Sequence, residues 1–256
     1  MSAMKVFVDT GLLFKRKMLE TLRNPVFIIV SMITPIVYLV LFAPLLNKLT
    51  GVPGFTAGHV LNTFIPGLLV IIAFLSGLFV GYNMIDEVKN GVLERMRVTP
   101  TSRFALLAGR VLRDLVNMTV VVVLFVLLAI PFGYNLNVLG FLVELVLLAM
   151  ILITTSSFGN ALGVILGDED KLSPIIQGIN LPIILLSGML LPMELAPKWL
   201  QVVAHFNPAY YVVEAGRQLA AGHFLNAKVG YAFLFMVPFT VIVVVWATRT
   251  FQHSVS

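Results

Sequence analysis

Apolar blocks about as long as a bilayer is thick constrain this chain more than any other feature. They are Val26–Leu46, Phe64–Met84, Leu115–Phe132, Val138–Leu166, Pro174–Leu191 and Val229–Trp246, and Glu144 is the only charged side chain in any of them. A transmembrane helix takes about 20 predominantly apolar residues, so the blocks predict an all-α, polytopic membrane protein with six transmembrane helices. The composition allows no soluble alternative. It is 59% hydrophobic and 11% charged, whereas a soluble domain carries roughly a quarter charged residues. Residues 1–256 make one membrane domain. With 0 cysteines, disulfides, thiolate metal sites and cysteine nucleophiles are excluded.

Before the first block, residues Met4 to Arg23 lack the cleavage pattern of a signal peptide. On a helix, Phe7, Val8, Gly11, Phe14, Met18, Leu19 and Leu22 share one side, and Lys5, Asp9, Arg16, Glu20 and Arg23 share the other. Leu13 and Lys15 break the pattern. This spacing predicts an amphipathic helix in the membrane interface; a solvated basic tail is the plainer alternative. Pro35 marks a kink in the first span. Ser173 and Pro174 read as N-cap and first residue of the fifth. Between the last two spans, the segment Pro192 to Lys228 reads as two short helices split by Asn207-Pro208, lying against the outer leaflet. Of the 17 Lys and Arg residues, only Lys48, Lys198, Arg217 and Lys228 fall on the side opposite the N-terminus. The positive-inside rule then puts both termini in the cytoplasm.

Enzymatic motifs are missing. No Gly-Lys dipeptide occurs, which removes the phosphate-binding GxxxxGK[ST] loop. There is no HExxH pair, and His59, His205, His223 and His253 are scattered. No serine sits in a nucleophile elbow. What stands out is the charged run Asp86 to Arg103 between the second and third spans. Gly91 allows a turn, and Val92, Leu93 and Met96 form a small apolar face rimmed by Glu94, Arg95 and Arg97. Thr99-Pro100 breaks the helix, and Ser102 is placed to cap the next one, which runs from Arg103 through Arg110 into the third span. Such a short helix suits docking to a cytosolic partner. A solvated loop that merely satisfies the positive-inside rule fits the residues as well.

The pattern G-x-L-E-R-x-R-x-T-P-x-S-R over Gly91 to Arg103, following two spans and an amphipathic start, resembles the type-2 ABC exporter permeases. Within them it is most similar to the daunorubicin-resistance-type drug permeases. Ser187-Gly188-Met189-Leu190-Leu191-Pro192, Pro197-Lys198-Trp199-Leu200 and Asn207-Pro208 extend the likeness over nearly the whole chain. The resemblance implies that Gly91 to Arg103 is a coupling helix docking on a separate ATPase subunit, and that the Pro192–Lys228 segment is a re-entrant outer gate. It also implies two permease and two ATPase copies, with ATP and Mg held by the partner and no cofactor in this chain. The family loop often reads G-T-L-E; Val92 stands in place of that threonine.

Within the spans, Gly77 and Gly81, and Gly159, Gly163 and Gly167, recur at four-residue spacing, which lets helices approach closely. Packing inside the subunit is the expected use, a dimer seam the alternative. Glu144 lies about two turns into the fourth span, near enough to the interface to reach water; a substrate or proton role is the alternative. Asn117, Gln177 and Asn180 line a pathway or bond neighbouring helices. Three function classes stand: an ATP-driven exporter of a hydrophobic or amphipathic substrate, an ion-coupled transporter or channel using Glu144, and a scaffold recruiting a cytosolic protein. A second permease copy, identical or not, and membrane lipid are the other expected partners. Nucleic acid is not one.

Overall fold

The computed structural model describes residues 10–15, 18–19, 26–46, 60–91, 103–190 and 192–253. Nine helices are labelled here in chain order. They are α1 (Val26–Leu46), α2 (Val60–Leu78), α3 (Val80–Lys89), α4 (Arg103–Ala129), α5 (Val138–Leu166), α6 (Glu169–Leu186), α7 (Lys198–Ala204), α8 (Pro208–Ala220) and α9 (Ala227–His253). No strand occurs among the described residues. Four helical stretches there are long and apolar enough to cross a membrane: Leu61–Lys89, Ala108–Phe132, Val138–Leu166 and Ala227–Phe251. The chain is thus a multi-pass helical membrane protein. The helix of the predicted first span is α1, which carries the apolar stretch Met32–Leu41.

Local chemistry explains the helix ends. The Asn137 side chain caps α5 by accepting the Gly140 N–H at 3.3 Å, and Gly167, at φ 60°, closes it in the left-handed region where glycine is favoured. The fifth predicted span needs correction. Its helix starts at Glu169, with Asp168 as N-cap accepting the Asp170 N–H at 3.0 Å. Pro174 and Pro182 therefore lie inside α6. A carboxylate cap and the acids Glu169 and Asp170 at the positive end of the helix dipole outcompete the Ser173-Pro174 signal. The helix also ends at Leu186 rather than Leu191, and Gly188 turns at φ 71°.

One end of the bundle holds Lys89, Arg103 and Glu169; the other holds the α4–α5 turn, the Ser187–Asn226 segment and the start of α9. These are called the loop end and the far end below. Helices α2 and α3 form the centre: 83% of the apolar window of Leu61–Lys89 is buried, against 17% for α9. Phe64, Ile65, Leu68, Phe125, Leu148 and Val212 belong to one continuous core. Residues 10–15 are helical and cross α4 at Gly109, where an added Cβ would come 2.8 Å from Leu13 Cβ. Leu13, which interrupts the predicted apolar stripe, is thus a packing residue. Most of the predicted interface helix 4–23 lies outside the described residues.

Candidate functional site

In lipid no hydrophobic force drives one helix onto another, so close packing must do it. Here the packing is backbone against backbone. A Cβ on Gly81 would come 2.7 Å from the Gly159 carbonyl oxygen. On Gly159 it would come 2.7 Å from that of Leu78, and on Gly163 2.6 Å from that of Gly81. On Gly77 it would run into the Thr155 hydroxyl. These four glycines form a seam between α2–α3 and α5 within one subunit. Gly167 does not join it: nothing lies within 4 Å of its Cβ position, and its role is the helix C-cap.

At the loop end the seam runs into a buried polar network. Arg110, 5% exposed on α4, pairs with Glu87 on α3 and points Nη1 at Met84 Sδ, 2.6 Å away. One helical turn on, Arg113 pairs with Asp114, whose other oxygen accepts the Ser156 hydroxyl of α5 at 2.8 Å. Asn160 Nδ2 donates to the Ser156 carbonyl at 2.8 Å. Ser157 Oγ and Asn160 Oδ1 are buried and make no hydrogen bond among the described residues. Glu87 and Arg110 tie together the two helices that leave the Asp86–Arg103 loop, and Asp114 ties the second of them to α5. Lys89 bonds Glu169 at 2.8 Å on the exposed rim.

At the far end, α8 does not merely rest on the bundle. Asn207 caps it through the Ala209 N–H (3.1 Å), and Pro208 supplies its first residue. Val212, Val213, Ala215 and Leu219 are buried against α2, α5 and α9. Gly216 meets Glu144: a Cβ there would come 2.7 Å from Glu144 Oε1 and 3.0 Å from Pro66 Cβ. Glu144 is 1% exposed and Oε1 has no hydrogen-bond partner among the described residues. The expectation that it reaches water is corrected, because α8 covers it.

Next to Gly216 in the chain, Arg217 donates to Glu214 (2.6 Å), the Gly188 carbonyl (2.6 Å) and the Thr63 carbonyl (3.0 Å). Lys228 reaches the second Glu214 oxygen at 2.8 Å and Glu194 at 3.6 Å. Burial pushes the Glu214 carboxyl up, but Arg217 and Lys228 outweigh it and hold Glu214 below its ordinary value. This cluster forms one wall of an open polar cleft of about 1020 Å³ that Asn62, Asn135, Asn137 and Gln218 also line. Deeper lies an apolar cavity of about 160 Å³ between Phe74, Ile151, Phe158, Ile183 and Met236, reached by Asn207 and Pro208.

Of the expected coupling residues, Gly91 turns the chain at φ 65° after α3, and Arg103 opens α4. Val92, Leu93, Glu94, Arg95, Met96, Arg97, Thr99, Pro100 and Ser102 lie outside the described residues. Asn180 sits on α6 with Oδ1 buried and unbonded among the described residues, and Gln177 bonds Ser173 at 3.1 Å. Sequence reasoning missed Arg110, Asp114, Glu87 and Ser156 as a unit. The signal was present in the spacing of Arg110 and Asp114, four apart on a helix entering a span, where charge is tolerated only with partners.

Residues 9–221 match the family described as ABC-2 type transporter. A putative transport permease ycf38 of Cyanophora paradoxa is 29% identical over 209 residues, covering 81% of this chain and 72% of that protein. The daunorubicin resistance ABC transporter permease protein DrrB1 of Streptomyces coeruleorubidus is 24% identical over 209 residues, covering 81% and 73%. A second putative transport permease ycf38, from Porphyra purpurea, is 26% identical over 219 residues, covering 84% and 75%.

Proposed function

This chain belongs to the ABC-2 type transporter family, and from that premise we propose that it is the permease subunit of an ATP-driven exporter for a hydrophobic or amphipathic substrate. The observation that carries the reading is the family match over residues 9–221. In this reading two permease copies work with two copies of a separate ATPase subunit that holds ATP and Mg. The chain lies in the cell membrane with both termini cytoplasmic. Gly91 to Arg103 docks on the ATPase, and closure of the ATPase pair pulls on α3 and α4 through Lys89 and Arg103. The apolar cavity beside Phe158 and Met236, and the name of the daunorubicin resistance relative, support an amphipathic cargo.

The deciding experiment is co-expression with an ATPase encoded beside it, followed by pull-down and substrate-stimulated ATP hydrolysis. The double change Leu93→Asp with Arg95→Glu removes an apolar knob and reverses a charge, each a loss of about 2 kcal/mol at an interface hot spot. It should release the ATPase and stop transport while membrane insertion stays near that of the parent. A double variant that still holds its ATPase and exports substrate would overturn the coupling assignment.

A second reading, ion coupling through Glu144, draws on that residue's buried, unbonded Oε1. Glu144→Gln separates the two. The exporter reading expects transport-linked ATP hydrolysis close to the parent's, and the ion-coupled reading expects transport to vanish in a folded, assembled protein.

A further inference from the structure

At the far end, sharing Glu214 and Lys228 with the polar cleft, five rings line a pocket of about 330 Å³: His205, Tyr210, Tyr211, Tyr231 and Phe235. They come from the turn after α7, the first turn of α8 and the first turns of α9. Tyr211 stacks on Phe235 with centroids 4.3 Å apart and meets Tyr210 edge-on at 5.4 Å. His205 lies 5.1 Å from Tyr210. The Tyr211 hydroxyl donates to the His205 carbonyl at 3.0 Å, which fixes the orientation of that ring. The Trp and Tyr rings of an ordinary interfacial belt sit at the headgroup level. The rings here contact one another around a cavity.

We infer that this ring pocket is a receptor for an organic ammonium group, the head of an amphipathic amine or of a phospholipid. Aromatic faces carry negative charge and attract a cation held within about 6 Å of the ring centre. The volume sits near the lower bound of about 300 Å³ for small-molecule pockets, so it suits a headgroup better than a whole amphiphile. Glu214 and Lys228 also line it. Lys228 lies between Glu214 and Glu194, and Arg217 turns towards Thr63 and Gly188. The two charged residues of the lining, Glu214 and Lys228, pair at 2.8 Å and their charges cancel, so the ring faces select. Tyr231, Phe235, Phe239 and Ile242 are exposed in succession along α9, a continuous apolar track for the tail of the same molecule. The site deepens the permease reading by naming a headgroup chemistry, and it rests on that reading only for what becomes of the ligand afterwards.

The test uses the full-length permease alone in a maltoside detergent, whose head carries no ammonium. Benzyltrimethylammonium is titrated and followed by saturation-transfer NMR, with its uncharged carbon isostere, neopentylbenzene, as the comparison. The ammonium should bind saturably and the isostere far more weakly. Tyr211→Leu with Phe235→Leu should weaken ammonium binding about tenfold. Tyr211→Phe, which keeps the ring face and loses only the hydroxyl, should stay within about twofold of the parent. Phe235→Leu alone removes a single, 44% exposed ring and should weaken ammonium binding severalfold; unchanged binding by this variant also overturns the proposal. Added phosphatidylcholine that competes with the probe assigns the site to lipid heads; absence of competition assigns it to a free amine. Equal binding by the double variant, or by the isostere, overturns the proposal. Because no ATPase takes part, failure here leaves the permease reading standing, and loss of ATPase capture would leave the site standing.

Discussion

Where Gly216 meets Glu144 there is no room for one more carbon. Gly216→Ala puts a methyl 2.7 Å from Glu144 Oε1 and 3.0 Å from Pro66 Cβ, and overpacking of this kind costs about 1–3 kcal/mol. The expected result is a lower thermal-unfolding midpoint in detergent, partly restored when Glu144→Ala is added. Gly178→Ala, with nothing within 4 Å of its Cβ position, should be neutral or slightly stabilising. Equal losses at both positions would refute the close approach. Glu214 gives a pH signature. Its folded-state value is depressed, so its pairing contributes fully above the ordinary glutamate value of about 4.3. That contribution fades as pH falls below this value through the folded one. The midpoint difference between the parent and Glu214→Gln should be flat near neutrality and narrow in acid. A gap that does not change with pH would contradict it. The i, i+3 spacing of Glu214 and Arg217 is visible in the sequence. The Thr63 and Gly188 carbonyls that bind Arg217 are not, since they lie 154 and 29 residues away.

Among the elements, the stretches behind α2, α4, α5 and α9 were readable because each is a long apolar run. So was the split between α7 and α8, because Asn207-Pro208 pairs a capping side chain with a residue that must start a helix. The start of α6 was not, because two valid start signals lie five residues apart and only their competition decides. Depth was not readable either. Arg110 and Asp114 look like the tail of a charged loop until α3 and α5 close over them. The Arg110–Glu87 pair, with side chains 6% and 16% exposed, should behave as a buried one. Arg110→Met removes the buried cation that faces Glu87, and the expected cost is about 3 kcal/mol. Adding Glu87→Leu should recover much of it, because replacing a whole buried pair with apolar side chains is often near neutral. A double-mutant cycle by thermal unfolding checks this; simple additivity would mean the two residues do not act together.

For the whole molecule, the exporter reading requires a fixed orientation. With 0 native cysteines, single introduced ones report it directly. Ser2→Cys, Thr101→Cys and Ser254→Cys should resist a membrane-impermeant thiol reagent in intact cells, while Thr56→Cys should react. Labelling of Thr101→Cys from outside would reverse the topology and remove the loop from the reach of any cytosolic ATPase.

The glycine seam has a mechanical consequence. A joint made of long side chains has play in it, since rotamers shift and absorb a displacement before it travels further. Along Gly77–Gly81 and Gly159–Gly163 main chain meets main chain at most contacts, with the Thr155 and Met84 side chains beside them. A small stroke applied at Lys89 would pass into α5 with little lost motion and travel along that helix to Glu144, which meets Gly216 of α8. Bulk added at the seam would then slacken the stroke as well as weaken the fold, and a machine driven from one end tolerates slack poorly.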